Sequence, residues 1–188
     1  EAHPLQAQSP YAATKVAADK FAESFHLSYS LPVVTVRPFN TYGPRQSARA
    51  IVPTIITQCL AEPTVCLGNL NPTRDMNYVS DTVEGFVRAA ASPEAVGRTI
   101  NIGSGRETAI GELVRMIAGL AGKPVAIEVD EARARPAGSE VERLVASSTV
   151  ARELLGWEPS VSLEEGLQAT FAWVQEHLDV YRPGVYVR

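Results

Sequence analysis

The feature that most constrains this chain is the alternation of short apolar runs with longer stretches of helical period. Residues 31–36, 65–67, 77–79, 99–102 and 124–129 are brief, β-branched or apolar runs, most bounded by proline, glycine or asparagine. Between them, Ser9 and Pro10 form an N-cap and first-turn proline for a helix reaching about Tyr29. Further helices are expected over 51–60, from Ser80 or Asp81 to Ala91, from Thr108 to Ala121, and over 150–155 and 163–178. Strands alternating with helices argue for an α/β fold with a mainly parallel sheet. The polar loops then gather at the strand ends, where such sheets bind ligands.

Composition narrows the function. A chain of 188 residues, 45% hydrophobic and 20% charged, has the balance of a soluble globular protein. A net charge of −4 excludes a general polyanion binder, so no nucleic-acid partner is expected. Any phosphate must be gripped by a few placed arginines. Cys59 and Cys66 are too few for a disulfide scaffold and lack metal spacing, and His3, His26 and His177 are isolated, so no metal site is expected. No apolar run approaches membrane-spanning length and no signal peptide opens the chain; no membrane partner and a cytoplasmic setting are the expectation.

Tyr11 and Lys15 form Y-x-x-x-K on the first expected helix. Residues four apart share a helical face, so the ammonium can lie near the phenol. A nearby cation favours phenolate, which suits tyrosine to take a proton from a sugar or alcohol hydroxyl. A surface pair on an amphipathic helix is the competing reading. Three other features read as structural. The turn at 103–105, Gly-Ser-Gly, looks like a strand-to-helix turn rather than a phosphate loop. Trp157 and Trp173 are expected to pack the C-terminal helices, and Cys66 to be a small buried apolar residue.

The wider pattern resembles the extended short-chain dehydrogenase/reductase family that acts on nucleotide sugars. SPYAATK at 9–15, RPFNTYGPRQ at 37–46, TRDMNYVSD at 73–81, INIGSG at 100–105, RARPAGSE at 133–140 and LLGWEPSVSLEEGL at 154–167 stand in family order. The wording is most similar to NAD-dependent 4,6-dehydratases of legionaminic-type acid pathways, with nucleotide-sugar 4-epimerases the nearest alternative. The resemblance implies the C-terminal portion of a Rossmann-type doubly wound sheet plus a small α/β substrate-binding domain. Residues 1–48, with parts of 75–105, would belong to the cofactor domain; about 49–74 and 106–188 would hold the nucleotide-diphosphate sugar.

Site roles follow from the same resemblance. Tyr11 and Lys15 match the catalytic tyrosine and the lysine on the nicotinamide ribose, Tyr11 taking the 4-hydroxyl proton while hydride leaves C4 for NAD⁺. Phe39 matches a nicotinamide-pocket position and Asn40 a sugar-nucleotide contact. Ala50 and Ile51 match positions beside the nucleotide, and Val65 and Leu67 lie on the strand flanking its base. Arg74 and Arg135 match the diphosphate clamp; Asn101 and Glu140 match further substrate contacts. An ion pair of Arg74 with Asp75 or Asp81, a solvated Arg135, and an Asx-turn at Asn40 are the competing readings. Family members pair through the helix carrying Y-x-x-x-K, so a homodimer is expected. The family's glycine-rich NAD motif is absent from these residues, as is the acid–base pair that separates dehydratases from epimerases. The NAD site is therefore expected to be incomplete in this chain. A truncated, non-catalytic module that binds nucleotide or self-associates stays open as a third reading.

Overall fold

The computed structural model describes residues 1–133 and 136–181. In chain order the elements are α1 (Pro10–Tyr29), β1 (Thr35–Pro38), β2 (Asn40–Tyr42), α2 (Ile51–Ala61), β3 (Thr64–Leu67), β4 (Thr73–Arg74), β5 (Met76–Tyr78) and α3 (Val79–Ala91). They continue with β6 (Thr99–Ile102), β7 (Thr108–Ala109), α4 (Ile110–Ala121), β8 (Ala126–Val129), β9 (Arg143–Leu144), α5 (Thr149–Leu155), α6 (Leu163–Glu176) and α7 (Leu178–Tyr181). The α/β reading holds, and β1–β6, β2–β5, β3–β8 and β4–β9 pair in parallel. The exception is β7, antiparallel to β4.

Local signals worked where they were chemical. Ser9 caps α1, its hydroxyl accepting from the Ala12 N–H, and Pro10 sits in the first turn. Ser162 and Glu165 form a reciprocal capping box on α6. Several boundaries moved. The strand expected at 31–36 begins at Thr35, because β1 takes its register from β6 through Thr35↔Thr99 to Pro38↔Ile102. The loop expected at 37–46 contains β2, whose ladder partner β5 lies 36 positions along the chain (Asn40↔Met76). Neither Ser80 nor Asp81 caps α3, whose N-cap is Tyr78; Thr108 lies in β7 rather than capping α4.

Two apolar clusters form. The larger joins α2, β3, α4 and α6 around Val52, Ile55, Ile56, Val65, Leu113, Ile117, Leu167 and Val174. The second packs Trp157, Ala95 and Ala151 against Ile100 and Ile102 of β6, with α5 lying on that strand. Trp157 packs as expected and donates from Nε1 to the Asp81 carbonyl at 2.9 Å. Trp173 stacks on His177 and meets Tyr181 edge-on. Cys66 departs from expectation: it is half-buried, with Sγ 3.9 Å from Glu128 Oε2, because residue 66 alternates out of the core between buried Val65 and Leu67. Cys59 is the buried cysteine. No helix among the described residues is long and apolar enough to cross a membrane.

Burial holds three groups neutral. The Tyr42 phenol is pushed well above its ordinary value by desolvation, then by Tyr78, Asp81 and Glu164; burial also raises Tyr181 and Cys59. Above the ordinary thiol and phenol range the unfolded chain has lost protons that the native chain retains, so stability falls as pH rises. The contribution is complete below about pH 9 and declines most steeply above about pH 10. Thermal unfolding between pH 7 and 11 should show a falling midpoint; an unchanged midpoint would contradict this burial.

Candidate functional site

The parallel register of β1 and β6 brings Pro38 level with Ile102, so the segments leaving both strands emerge side by side. The Phe39 N–H donates to the Ile102 carbonyl at 2.9 Å, and its own carbonyl accepts from Thr41 Oγ1 at 3.1 Å. One residue on, Asn40 starts β2, its N–H and Nδ2 both directed at the Asp75 carbonyl (3.1 and 3.3 Å). The Asx-turn reading of Asn40 is thereby replaced by strand pairing with β5.

A cleft of about 350 Å³ opens beside this junction, lined by Asn40, Ala50, Ile51, Leu67, Arg74 and Glu140 among others. These are six of the residues expected from sequence. Val65, two positions before Leu67 and on the same buried face of β3, is fully buried and does not line the cleft. Asn101 is also outside the cleft lining: it is buried on β6, and its Nδ2 donates to the Ser147 carbonyl at 3.4 Å. Arg135 lies outside the described residues. Among the described residues, nine of the fifteen that line the cleft were missed, and three of these carry long polar side chains. Gln46 closes the quoted RPFNTYGPRQ run, its Nε2 donating to the Thr41 carbonyl at 2.8 Å. Arg49 lines the same wall. Arg133 stands two positions before Arg135, and that R-x-R spacing was the available signal; its Nη1 reaches the Cys66 carbonyl at 2.8 Å.

Arg74 pairs with neither Asp75 nor Asp81. Its Nη2 meets Glu140 Oε1 at 3.0 Å, both side chains being nearly buried, while Nη1 donates to the Thr73 and Val141 carbonyls. The pairing of β4 with β9 sets this contact, because it runs the segment before Arg143 past Arg74. Arg49, Arg74 and Arg133 line the cleft, Arg74 held by Glu140 and Arg133 salt-bridged to Asp130 at 3.1 Å, so planar guanidinium donors are fixed along a wall that can meet an anion such as a diphosphate.

Tyr11 and Lys15 sit apart from that lining, on the outward face of α1. The face turned towards β1 carries Ala12, Val16, Asp19, Ala22 and His26, with Asp19 salt-bridged to Arg37 at 2.8 Å. Tyr11 is 71% exposed, and the Lys15 ammonium lies 5.4 Å from its ring centroid. A phenol and an ammonium side by side on an open face can engage the hydroxyls of a bound ribose and sugar. Among the described residues no cluster of histidine, cysteine, aspartate or glutamate could hold a metal ion.

Comparison with known proteins follows the same outline. The family model for GDP-mannose 4,6 dehydratase matches residues 1–170. The chain belongs to that family. Among curated relatives, the UDP-glucose 4-epimerase of Mycolicibacterium smegmatis is 38% identical over 172 residues, 89% of this chain and 53% of its own. The dTDP-glucose 4,6-dehydratase of Xanthomonas campestris is 32% identical over 182 residues, 92% of this chain and 51% of its own. The structure of UDP-glucuronic acid 4-epimerase from Bacillus cereus, solved with UDP-glucuronic acid and NAD, superposes with a TM-score of 0.83 at 29% identity. That match covers 93% of this chain and 54% of the other. The chain spans about half the length of the curated relatives it matches. Its fold is thus that of the Rossmann-type nucleotide-sugar epimerases and dehydratases.

Proposed function

We propose that this chain is the C-terminal part of an NAD-dependent nucleotide-sugar 4,6-dehydratase that oxidises the sugar at C4. The observation that carries the reading is the arginine-lined cleft, in which Arg74, held by Glu140, lines a space suited to a diphosphate. Arg74 and Arg135 would clamp the diphosphate. Asn40, Ala50, Ile51, Leu67 and Glu140 would flank the nucleotide and sugar, Val65 would brace the strand beside the base, and Asn101 would act from beneath. Tyr11 takes the proton of the sugar 4-hydroxyl, and Lys15 holds both the phenol and the nicotinamide ribose. NAD, when bound, would supply the acceptor for the hydride leaving the sugar C4, and Phe39 would line the nicotinamide pocket. Epimerisation at C4 is the second reading, favoured by the epimerase relatives, and uses the same residues.

The division into a cofactor layer (1–48 with parts of 75–105) and a substrate layer (about 49–74 and 106–188) is supported by the two apolar clusters, with α5 and Trp157 joining the cofactor side. A homodimer through α1 is supported by its solvent-facing aromatic ladder, Phe21–Phe25–Tyr29. The two free cysteines fit a cytoplasmic setting.

Calorimetry with uridine diphosphate tests the site. Arg74→Ala should weaken binding about tenfold or more, since a charge-assisted pair to phosphate contributes about 1.5–3 kcal/mol. Arg74→Lys should recover only part, lacking the planar fork. Unaltered affinity in Arg74→Ala would remove Arg74 from the clamp.

A further inference from the structure

Asp75 follows Arg74 in sequence and is fully buried, yet among the described residues its carboxylate has no cationic partner. Four donors converge on it instead. Oδ1 accepts from the Ser104 N–H at 2.8 Å and the Ser104 hydroxyl at 2.6 Å. Oδ2 accepts from the N–H groups of Gly105 at 2.8 Å and Ala146 at 3.0 Å. The Gly-Ser-Gly turn is therefore an anion nest already filled from within the chain, which is why it does not serve as a phosphate loop. Gly103 makes room for this: a Cβ there would lie 2.9 Å from Asp75 Oδ2 and 2.6 Å from Ala146 Cβ.

The main chain of Asp75 is equally committed. Its N–H donates to Leu144 of β9 at 2.9 Å, and its carbonyl receives both donors of Asn40. One residue thus ties together the turn after β6, the start of β2, and the segment leaving β9. The stretch entering β9 carries Glu140 and Val141, the two partners of Arg74 across the cleft. Resting on the nucleotide-sugar reading of the cleft, we infer that Asp75 is the positioning residue that locks β9 against β4 and so sets Arg74, oriented by its pair with Glu140, at the substrate diphosphate. It touches no substrate itself. Burying a carboxylate is costly unless its lone pairs are filled, so a residue placed here must be met by the donors that it organises.

The experiment uses Asp75→Asn, with Asp81→Asn as the matched control. Asp81 is also a buried carboxylate taking three hydrogen bonds, but these come from Ser160 and Val161, away from the cleft lining. Asp75→Asn should weaken uridine diphosphate binding about tenfold, whereas Asp81→Asn should lower the melting temperature and leave affinity unchanged. Because Asp75 acts through Arg74, the double variant Asp75→Asn, Arg74→Ala should bind no more weakly than Arg74→Ala alone. Additive losses, or equal affinity in Asp75→Asn and the parent chain, would overturn the proposal. Hydrogen exchange separates it from the functional reading. The amides of Thr73 and Asp75, which bond to Glu142 and Leu144, should exchange at least tenfold faster in Asp75→Asn while those of α4 do not change. If the parent chain binds no uridine diphosphate, the nucleotide reading fails, and these amides still decide whether Asp75 locks β9; unchanged exchange would sink the lock.

Discussion

Tyr11→Phe is expected to lower turnover of a nucleotide sugar by about 10²–10⁴-fold, the usual contribution of a positioned general base. The measurement needs NAD⁺ and the chain joined to a glycine-rich N-terminal half. The change deletes one oxygen from a side chain that is 71% exposed and makes no hydrogen bond through its hydroxyl among the described residues. Stability should therefore shift by no more than about 0.5 kcal/mol. Affinity for uridine diphosphate should also be unchanged, since the Arg74 cleft does not include Tyr11. A loss confined to turnover, with melting temperature and nucleotide affinity preserved, identifies a chemical role. Full activity in Tyr11→Phe would return Tyr11 and Lys15 to a surface pair on an amphipathic helix.

The largest stability effect is expected at Trp157. Its indole is 1% exposed, fills the second apolar cluster against Ile100, Ile102 and Ala151, and spends its one donor on the Asp81 carbonyl. Trp157→Ala removes that volume and leaves the carbonyl without its indole partner, a combination that costs about 3–5 kcal/mol. Against a typical net stability of about 5–15 kcal/mol, this is a large share of the whole. Urea unfolding should show a lower midpoint at similar slope. Trp157→Phe should fall between, keeping much of the packing but not the hydrogen bond. A loss below about 1 kcal/mol would mean that α5 and β6 close over the gap, and that the cluster is not a rigid unit.

Much of the site could be read from the chain. Y-x-x-x-K names the pair on the exposed face of α1, and the RPFNTYGPRQ loop and the TRDMNYVSD run contain five of the fifteen described residues that line the cleft. Each motif is short, and its spacing already implies a helical face or a strand end. The competing reading of Arg74, an ion pair with Asp75 or Asp81, failed for an instructive reason. Asp75 and Asp81 are its acidic neighbours along the chain, but a strand directs adjacent side chains to opposite faces, and Arg74 instead meets Glu140, 66 positions away. Thr108 was misplaced by a two-residue antiparallel pairing invisible to local periodicity.

The sequence by itself determined the α/β class, the capped start of α1 and the family to which the chain belongs. Those properties depend on caps, periods and motif spacings, interactions that span a few residues and survive in any tertiary context. Only the tertiary structure decided which acid meets which arginine, what fills the Gly-Ser-Gly nest, and which layer claims α5. The Asp75 carboxylate reaches Ser104, Gly105 and Ala146, and the Trp157 indole reaches Asp81, across 29 to 76 positions. Such contacts come from strand order and register, which no local pattern of the chain specifies.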